Sequence, residues 1–171
     1  MKKLLKLTLA VVCVMSASSL FAQKFGRINT AEIVAAMPEA KEMQTNMEAF
    51  VKDMQETLEG LNVEFNNKMQ EFQKNLSTMT EAVAQIKQKE LNDMRTRATE
   101  FEQMAQQEYQ KKYQELMAPI AEKAKAAIDA VGKAGGYLVV FDVTAGSLAY
   151  FDEAALTDIA PLVKKELGIT E

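Results

Sequence analysis

The chain has 171 residues and contains no histidine, no tryptophan and a single cysteine, Cys13. Setting aside residues 1–22, with Lys2, Lys3 and Lys6, leaves 17 basic and 24 acidic residues, a net charge of −7. Without thiols and imidazoles, most nucleophilic and zinc chemistry is excluded, so we expect no catalytic residue, metal or cofactor. The acidic balance also argues against nucleic-acid binding, which needs a basic face.

Residues 1–22 have the pattern of a secretory signal peptide. Three lysines precede the apolar run Leu7–Met15, and the small-residue segment Ser16–Ala22 follows. We therefore expect export, with cleavage after Ala22. An exported chain whose only cysteine lies in the signal must fold by packing, without disulfides.

The first element after the signal is predicted to be a short strand, Lys24–Asn29. Thr30 is a suitable N-cap for a short helix over Ala31–Met37, which Pro38 interrupts.

The segment 39–118 has a helical apolar rhythm. It contains no proline and one glycine, Gly60, and its apolar residues recur at gaps of three and four. Such spacing places them on one helical face, and the eleven-residue period predicts a nearly straight helix. The outgoing stripe consists of Met43, Met47, Phe50, Met54, Leu58, Leu61, Phe65, Met69, Phe72, Leu76 and Met79.

A fold-back is predicted near residues 75–80. Thr78 and Glu81 have the spacing of a capping box, so a second helix should begin there and return antiparallel to the first. Pro119 should kink the returning helix, which is expected to end at Gly132. The return stripe consists of Val83, Ile86, Leu91, Met94, Ala98, Phe101, Ala105, Tyr109, Tyr113, Leu116 and Ile120.

The C-terminal section is predicted to be rich in strands. Tyr137–Asp142 is a continuous apolar run typical of a strand buried on both faces, and Leu148–Phe151 should form a returning strand after a turn. A last helix is expected over Ile159–Leu167, capped by Asp158 and stopped by Gly168.

Together these elements predict an α+β, mostly α fold. A long antiparallel helical hairpin (39–118) would form a coiled-coil arm that projects from a small strand-built body (23–38 and 119–171). Such a body is too small to fold alone without disulfides or metals, so several chains should pool their strands. This argument leaves the number of subunits open. The candidate oligomerisation residues are Ile28, Leu138, Val140, Leu148 and Tyr150.

Three parts of the chain resemble the Skp/OmpH family of periplasmic chaperones. They are the first strand in FGRINTAEI, the Met- and Gln-rich hairpin, and the tail GGYLVVFDVTAGSLAYFDEAALTDIAPLVKKELG. The resemblance implies a homotrimer whose three arms surround a cavity that holds unfolded outer-membrane β-barrel proteins without nucleotide. It also implies the periplasm of a Gram-negative bacterium. The chain departs from the family in being acidic where familiar members are basic.

The hypothesis is an ATP-independent periplasmic holdase; the alternative is an envelope coiled-coil scaffold that binds one folded partner. Methionine packs against many shapes, which suits weak contacts with unfolded clients, although most of these side chains could simply fill the seam between the helices. Lysines near the arm end leave a weak membrane-surface contact as a further hypothesis; a merely solvated helix face is the alternative. The candidate client contacts are Val51, Val63, Met69, Phe72, Met79, Met94, Met104 and Met117, and the arm-end lysines are Lys68, Lys74, Lys87 and Lys89.

Overall fold

A computed structural model describes residues 23–144, 146, 148 and 150–169. The predicted signal peptide, residues 1–22, lies outside the described residues. The chain divides into two compact units. We call Pro38–Ala121 the hairpin unit, and the described residues on either side of it the sheet unit.

The secondary structure is mostly helical. The hairpin unit holds a helix, a 3₁₀ turn and most of a second helix, and the sheet unit holds three strands and two short helices. In chain order the elements are β1 (Lys24–Ile28), α1 (Thr30–Ala36), α2 (Pro38–Asn75), the 3₁₀ turn (Leu76–Thr78), α3 (Glu81–Ala134), β2 (Tyr137–Asp142), β3 (Thr157–Asp158) and α4 (Ala160–Glu166). The predicted fold class is confirmed, with a helical hairpin and a small sheet.

The three strands form a parallel sheet in the order β2-β1-β3. Phe25 pairs with Val139 and Ile28 with Asp142, while Gly26 pairs with Thr157 on the other side. Parallel strands require a crossover connection, and α1, α2 and α3 together make the crossover from β1 to β2. In the sequence, the whole hairpin is therefore inserted between β1 and β2, which are neighbours in the sheet.

The predicted returning strand Leu148–Phe151 is wrong. Leu148, Tyr150 and Phe151 belong to no strand, and Ala145, Ser147 and Ala149 lie outside the described residues. The third strand is Thr157–Asp158 instead. Apolar and aromatic composition indicates a strand only weakly, because the tertiary context decides the outcome; here the edge of β1 opposite β2 pairs with β3.

Within a single chain, β2 is not buried on both faces. Tyr137, Val140 and Phe141 are half-buried, whereas Val139 is exposed and Leu138 is 61% exposed. The strand lies at the edge of a sheet of only three strands, so one chain has too few neighbouring groups to cover both of its faces.

The core of the sheet unit is formed by aliphatic side chains from β1, from α1 and α4, from the C-terminal part of α3 and from the residues next to these elements. Its buried residues are Ile28, Ile33, Met37, Ala124, Ala127, Val131, Ile159 and Val163. Small alanines on α3 alternate with larger partners, which is how interdigitated cores reach high packing density.

The short helices begin and end close to their predicted limits. Asn29, and not Thr30, is the N-cap of α1, because its side-chain oxygen accepts from the Glu32 amide at 3.3 Å. Ile159, and not the predicted Asp158, is the N-cap of α4, although the Asp158 carboxylate accepts from the Ala160 amide at 2.9 Å. Gly168 follows the helix with φ +71°, as predicted for its end. A left-handed residue at this position is the usual helix stop.

Helix α3 runs two residues beyond its predicted end at Gly132. It stops at Ala134, where the Gly135 amide donates to the Val131 carbonyl at 2.9 Å and Gly136 adopts φ +65°. Gly132 remains helical, and a Cβ atom added there would meet only Val140 Cγ2 at 3.9 Å. The residue that ends the helix is therefore Gly136, whose left-handed conformation glycine adopts readily.

A hydrogen-bond network joins the start of α1 to the end of β2. The Asp142 carboxylate accepts from the Thr144 amide at 2.9 Å and from the Thr30 amide at 3.3 Å. The Thr144 hydroxyl donates to Asn29 Oδ1 at 2.7 Å and accepts from the Ala31 amide at 3.2 Å. Residues that are far apart in sequence therefore satisfy the free N–H groups of the first helical turn.

We expect Asp142→Asn to destabilise the sheet unit by about 1 kcal/mol at neutral pH, the size of a charged hydrogen bond weakened by solvent exposure. Partial burial raises the pKa of Asp142, but hydrogen bonds from Thr144 and Thr30 outweigh that effect and lower it below 3.8. The lowered pKa means that ionised Asp142 stabilises the folded state at pH values above 3.8. This stabilisation is lost as the pH falls through the lowered pKa. The melting temperatures of the wild-type protein and of Asp142→Asn, followed by circular dichroism, should thus differ at pH 7 and become equal in strong acid.

Asp129→Asn is the control, because Asp129 lies exposed on α3 in the same unit and has no side-chain hydrogen bond or ion pair within the described residues. Equal melting temperatures for Asp142→Asn and Asp129→Asn at pH 7 would contradict the proposed role of the network.

Candidate binding surface of the helical hairpin

The helices α2 and α3 lie antiparallel within the hairpin unit. Phe50, Met54 and Leu58 line one groove together with Phe101 and Tyr109. Closer to the turn, Lys68 and Phe72 share a depression with Lys87 and Leu91. Residue numbers rise along one helix as they fall along the other, which confirms the predicted hairpin.

The fold-back lies at the predicted place but uses a different cap. Thr78 belongs to the 3₁₀ turn, and its hydroxyl donates to the Asn75 carbonyl at 2.8 Å. Thr80 caps α3 instead, because its hydroxyl accepts from the Val83 amide at 3.4 Å. The capping box of Thr78 and Glu81 is therefore wrong, since the Thr78 hydroxyl serves the end of the outgoing helix.

The outgoing stripe forms the inner face of α2. Every predicted member is buried or half-buried except Leu76, which lies exposed in the turn. Met47 is the most completely buried of them. The eleven-residue spacing therefore identified the seam correctly along the whole helix.

The return stripe is right from Leu91 to Ala105 and wrong near the turn, and farther along Tyr109 and Tyr113 are 37% and 38% exposed. Leu91 is 3% exposed, whereas Ile86 is 59% exposed and Val83 is also exposed. The packed residues between Leu91 and Phe101 set the helical phase, and extending that phase backwards places Ala84 and Lys87 toward the seam. Val83 and Ile86 are one residue out of this phase.

The structure separates the candidate client contacts into two groups. Val63 and Met104 are 51% and 54% exposed, on α2 and α3 respectively. The half-buried group comprises Val51, Met69, Phe72, Met79, Met94 and Met117. Val51 and Met117 belong to neither predicted stripe and are half-buried nonetheless. Whether any of these side chains touches a client stays a prediction.

The arm-end lysines differ in exposure and in their charged neighbours. Lys68, Lys74 and Lys89 are exposed, while Lys87 is half-buried and forms an ion pair with Glu90 at 2.9 Å. The hydrogen bond from Lys87 to Glu90 and the charge of Glu90 raise the pKa of Lys87, and Glu71 on the facing helix adds to the effect. Lys87 is thus a poor candidate for binding an external anion.

An apolar groove of about 220 Å³ lies between the two helices. Phe50, Met54 and Leu58 form one wall, and Phe101 and Tyr109 contribute to the other, where the small Ala105 leaves room. The sequence analysis placed all these residues in the seam and did not foresee an opening. The sequence feature that could have predicted this opening is Ala105, because its small side chain cannot fill the space that a larger residue would occupy.

The candidate oligomerisation residues have different surroundings. Ile28 is buried within the chain's own core, and Val140 and Leu148 are half-buried. Leu138 and Tyr150 are both strongly exposed. Only these last two present most of their apolar surface to solvent.

Two further observations concern metal binding and membrane-spanning helices. Within the described residues, no group of three or more Asp, Glu, His or Cys side chains could hold a metal ion. Among the helices of this part of the chain, none has both the length and the apolarity needed to cross a bilayer.

Comparison with known proteins identifies the family. The family model described as outer membrane protein (OmpH-like) matches residues 24–167. The chain is 28% identical over 170 residues to chaperone protein Skp of Yersinia enterocolitica, covering 98% of this chain and 99% of that protein. A crystal structure described as an OmpH-like outer membrane chaperone from Caulobacter crescentus CB15 has the same fold, with a TM-score of 0.74 at 14% identity, covering 86% of this chain and 85% of that one.

This family consists of chaperones and not of enzymes, which agrees with the expectation from the composition. The chain belongs to the OmpH-like family.

We expect two substitutions of similar size on α3 to have very different effects on the stability of the hairpin unit. Leu91→Ala should destabilise the hairpin unit by about 2–3 kcal/mol, because it removes a buried side chain and leaves a cavity. Ile86→Ala, its matched control, should change stability by less than about 0.5 kcal/mol because Ile86 is exposed. Chemical unfolding followed by circular dichroism measures both, and comparable losses would show that the phase of α3 has been misread.

Proposed function

We propose that this chaperone is an ATP-independent periplasmic holdase that cages unfolded outer-membrane β-barrel proteins and prevents their aggregation. The observation that carries the proposal is the set of large apolar side chains left exposed on the hairpin unit. Val63 lies on α2, Met104 on α3, and Leu76, Val83 and Ile86 lie at or near the turn. Scattered apolar contacts suit weak binding to many different sequences.

The physical basis of holding is that an unfolded barrel protein exposes the apolar faces of its strands. Each contact with an exposed side chain of the hairpin removes apolar area from water, which contributes roughly 25 cal/mol per Å². Many small contributions hold the client without selecting one folded conformation, and none of them requires nucleotide hydrolysis. The names of the Skp and Caulobacter relatives support a chaperone role for this chain.

We further propose that three chains assemble through the sheet unit. Leu138 and Tyr150 are exposed, and β2 pairs with β1 along one edge only in the described residues. An unpaired edge with apolar neighbours is a ready surface for association with another chain. Association would cover the side chains that a single chain leaves in water.

Location in the periplasm is part of the same proposal. The basic, apolar and small-residue segments of residues 1–22 support export and cleavage after Ala22. A weak contact with membrane surfaces is supported by the exposed lysines Lys68, Lys74 and Lys89, although the net charge of the mature chain opposes strong attraction to anionic lipid.

We expect the wild-type protein to keep several urea-denatured barrel proteins soluble after dilution, at about one oligomer per client. Replacing Val63 with Ser and Met104 with Gln should reduce suppression of aggregation by a factor of about two to three, since only part of the exposed apolar surface is removed. Light scattering measures the effect. Asn62→Ser with Asn92→Ser is the matched control on exposed polar positions of the same helices.

Equal aggregation with and without the wild-type protein would refute the holdase function. Tight binding of a single folded partner, with no effect on denatured clients, would instead favour an envelope scaffold.

We expect the wild-type protein to have the mass of three chains in solution. Leu138→Asp should shift it toward the monomer, because a charge would be buried without a partner in the interface. Leu162→Asp is the control, since Leu162 is an exposed leucine on α4 of the same unit. Analytical ultracentrifugation measures both masses, and a wild-type monomer would contradict assembly through the sheet.

A further inference from the structure

A patch of glutamine side chains covers the outer face of α3. Five glutamines and one lysine surround a shallow concave surface on this helix, and none of these side chains was a candidate in the sequence analysis. The patch consists of Gln103, Gln106, Gln107, Gln110 and Gln114, with Lys111 beside them. We call the five glutamines the amide patch.

The amide patch lies on the side of α3 that faces away from the seam. Ala105, on the seam side, is half-buried, whereas all five glutamines are exposed. At about 100° per residue, Gln107 and Gln110 lie roughly opposite Ala105. The patch is thus separate from the apolar groove and from the seam.

The patch has a regular geometry. Gln103 and Gln107 are four residues apart, and Gln106, Gln110 and Gln114 form a second row with the same spacing. Residues four apart are neighbours along a helix, about 6.0 Å apart in axial rise. Two adjacent rows of side-chain amides therefore run along about three turns of α3.

The amides of the patch are free to bind an external group. Gln44 and Gln85 each donate to a glutamate four residues away, at 2.9 Å and 3.5 Å. Within the part of the chain that the structure describes, none of the five patch amides has a hydrogen-bond partner. Each therefore has two donors and an acceptor that only solvent or another molecule satisfies.

We propose that the amide patch binds the polypeptide backbone of an extended, strand-like segment of a client. A peptide group offers one donor and one acceptor, and a glutamine amide complements both. On one edge of an extended strand the peptide groups recur about every 6.6 Å, close to the 6.0 Å repeat of each glutamine row. This proposal rests on the proposed holdase function and names the chemistry that one surface recognises.

Backbone recognition has a consequence for aggregation. Unfolded barrel proteins aggregate when the backbone edges of strands pair with one another. Amides that occupy one edge block this pairing, and they do so independently of client sequence because every residue but proline has the same backbone groups. The exposed apolar side chains and the amide patch thus bind different parts of the same extended segment.

The test replaces one row of amides with methionine, which has a similar shape but no hydrogen-bonding amide. The variant is Gln106→Met, Gln110→Met and Gln114→Met in the full mature chain. The matched control is Gln70→Met, Gln73→Met and Gln88→Met, at three exposed glutamines outside the patch. The probes are a fluorescent synthetic peptide of alternating valine and threonine, and the same peptide N-methylated at every second residue.

We expect the wild-type protein and the control to bind the unmethylated peptide about tenfold more tightly than the methylated one, the effect of a few hydrogen bonds in competition with water. The row variant should bind the unmethylated peptide about tenfold more weakly and show no preference between the two peptides. Fluorescence anisotropy measures all six affinities, and circular dichroism checks the fold.

Three results would overturn the proposal. Equal affinity of the wild-type protein for both peptides would exclude backbone recognition, even if the variant failed to fold. Tighter binding by the row variant would show that the surface acts through apolar contact. A changed oligomer mass for the row variant alone would show that the patch contacts a second copy of the chain. A wild-type protein that binds neither peptide and suppresses no aggregation would instead refute the holdase function itself.

Discussion

The parallel pairing of β1 with β2 is the contact on which the rest of the fold depends. It joins the segments that precede and follow the helical hairpin in sequence, from Lys24 paired with Tyr137 to Ile28 paired with Asp142. Because parallel neighbours need a crossover, the connection can carry a long insertion at little cost to the sheet. The network of Asp142, Thr144 and the first turn of α1 stabilises the same junction.

The hairpin unit follows from a different constraint, which is that two helices can bury only one face of each. The seam takes the outgoing stripe and the central part of the return stripe, and the remaining faces stay in water. These free faces differ in chemistry: apolar at Val63 and Met104, and amide at Gln107 and its neighbours. A surface of this kind can contact an extended chain in several weak ways at once.

Sequence reasoning succeeded where a local pattern also decides the structure, and failed where distant contacts decide it. The stripe of α2 and the limits of β2 were predicted well because periodicity and composition act within one element. The strand at Leu148–Phe151 was predicted wrongly because it depends on which strands are neighbours. The proposed binding surface was foreseen only in part. Val63 and Met104 were named as candidate client contacts, whereas Leu76, Val83 and Ile86 near the turn and the amide patch were not.

The amino-acid sequence by itself determined that the chain is mostly helical, that it folds back near residue 78, and that residues 23–171 contain no cysteine and no histidine. These properties follow from residue types and their spacing along a single helix or turn. Only the tertiary structure decided that Thr157–Asp158 completes the sheet and that Thr80 caps the returning helix. It likewise decided that Val83 and Ile86 face water, because the phase of α3 is set by packing near Leu91, farther along the helix.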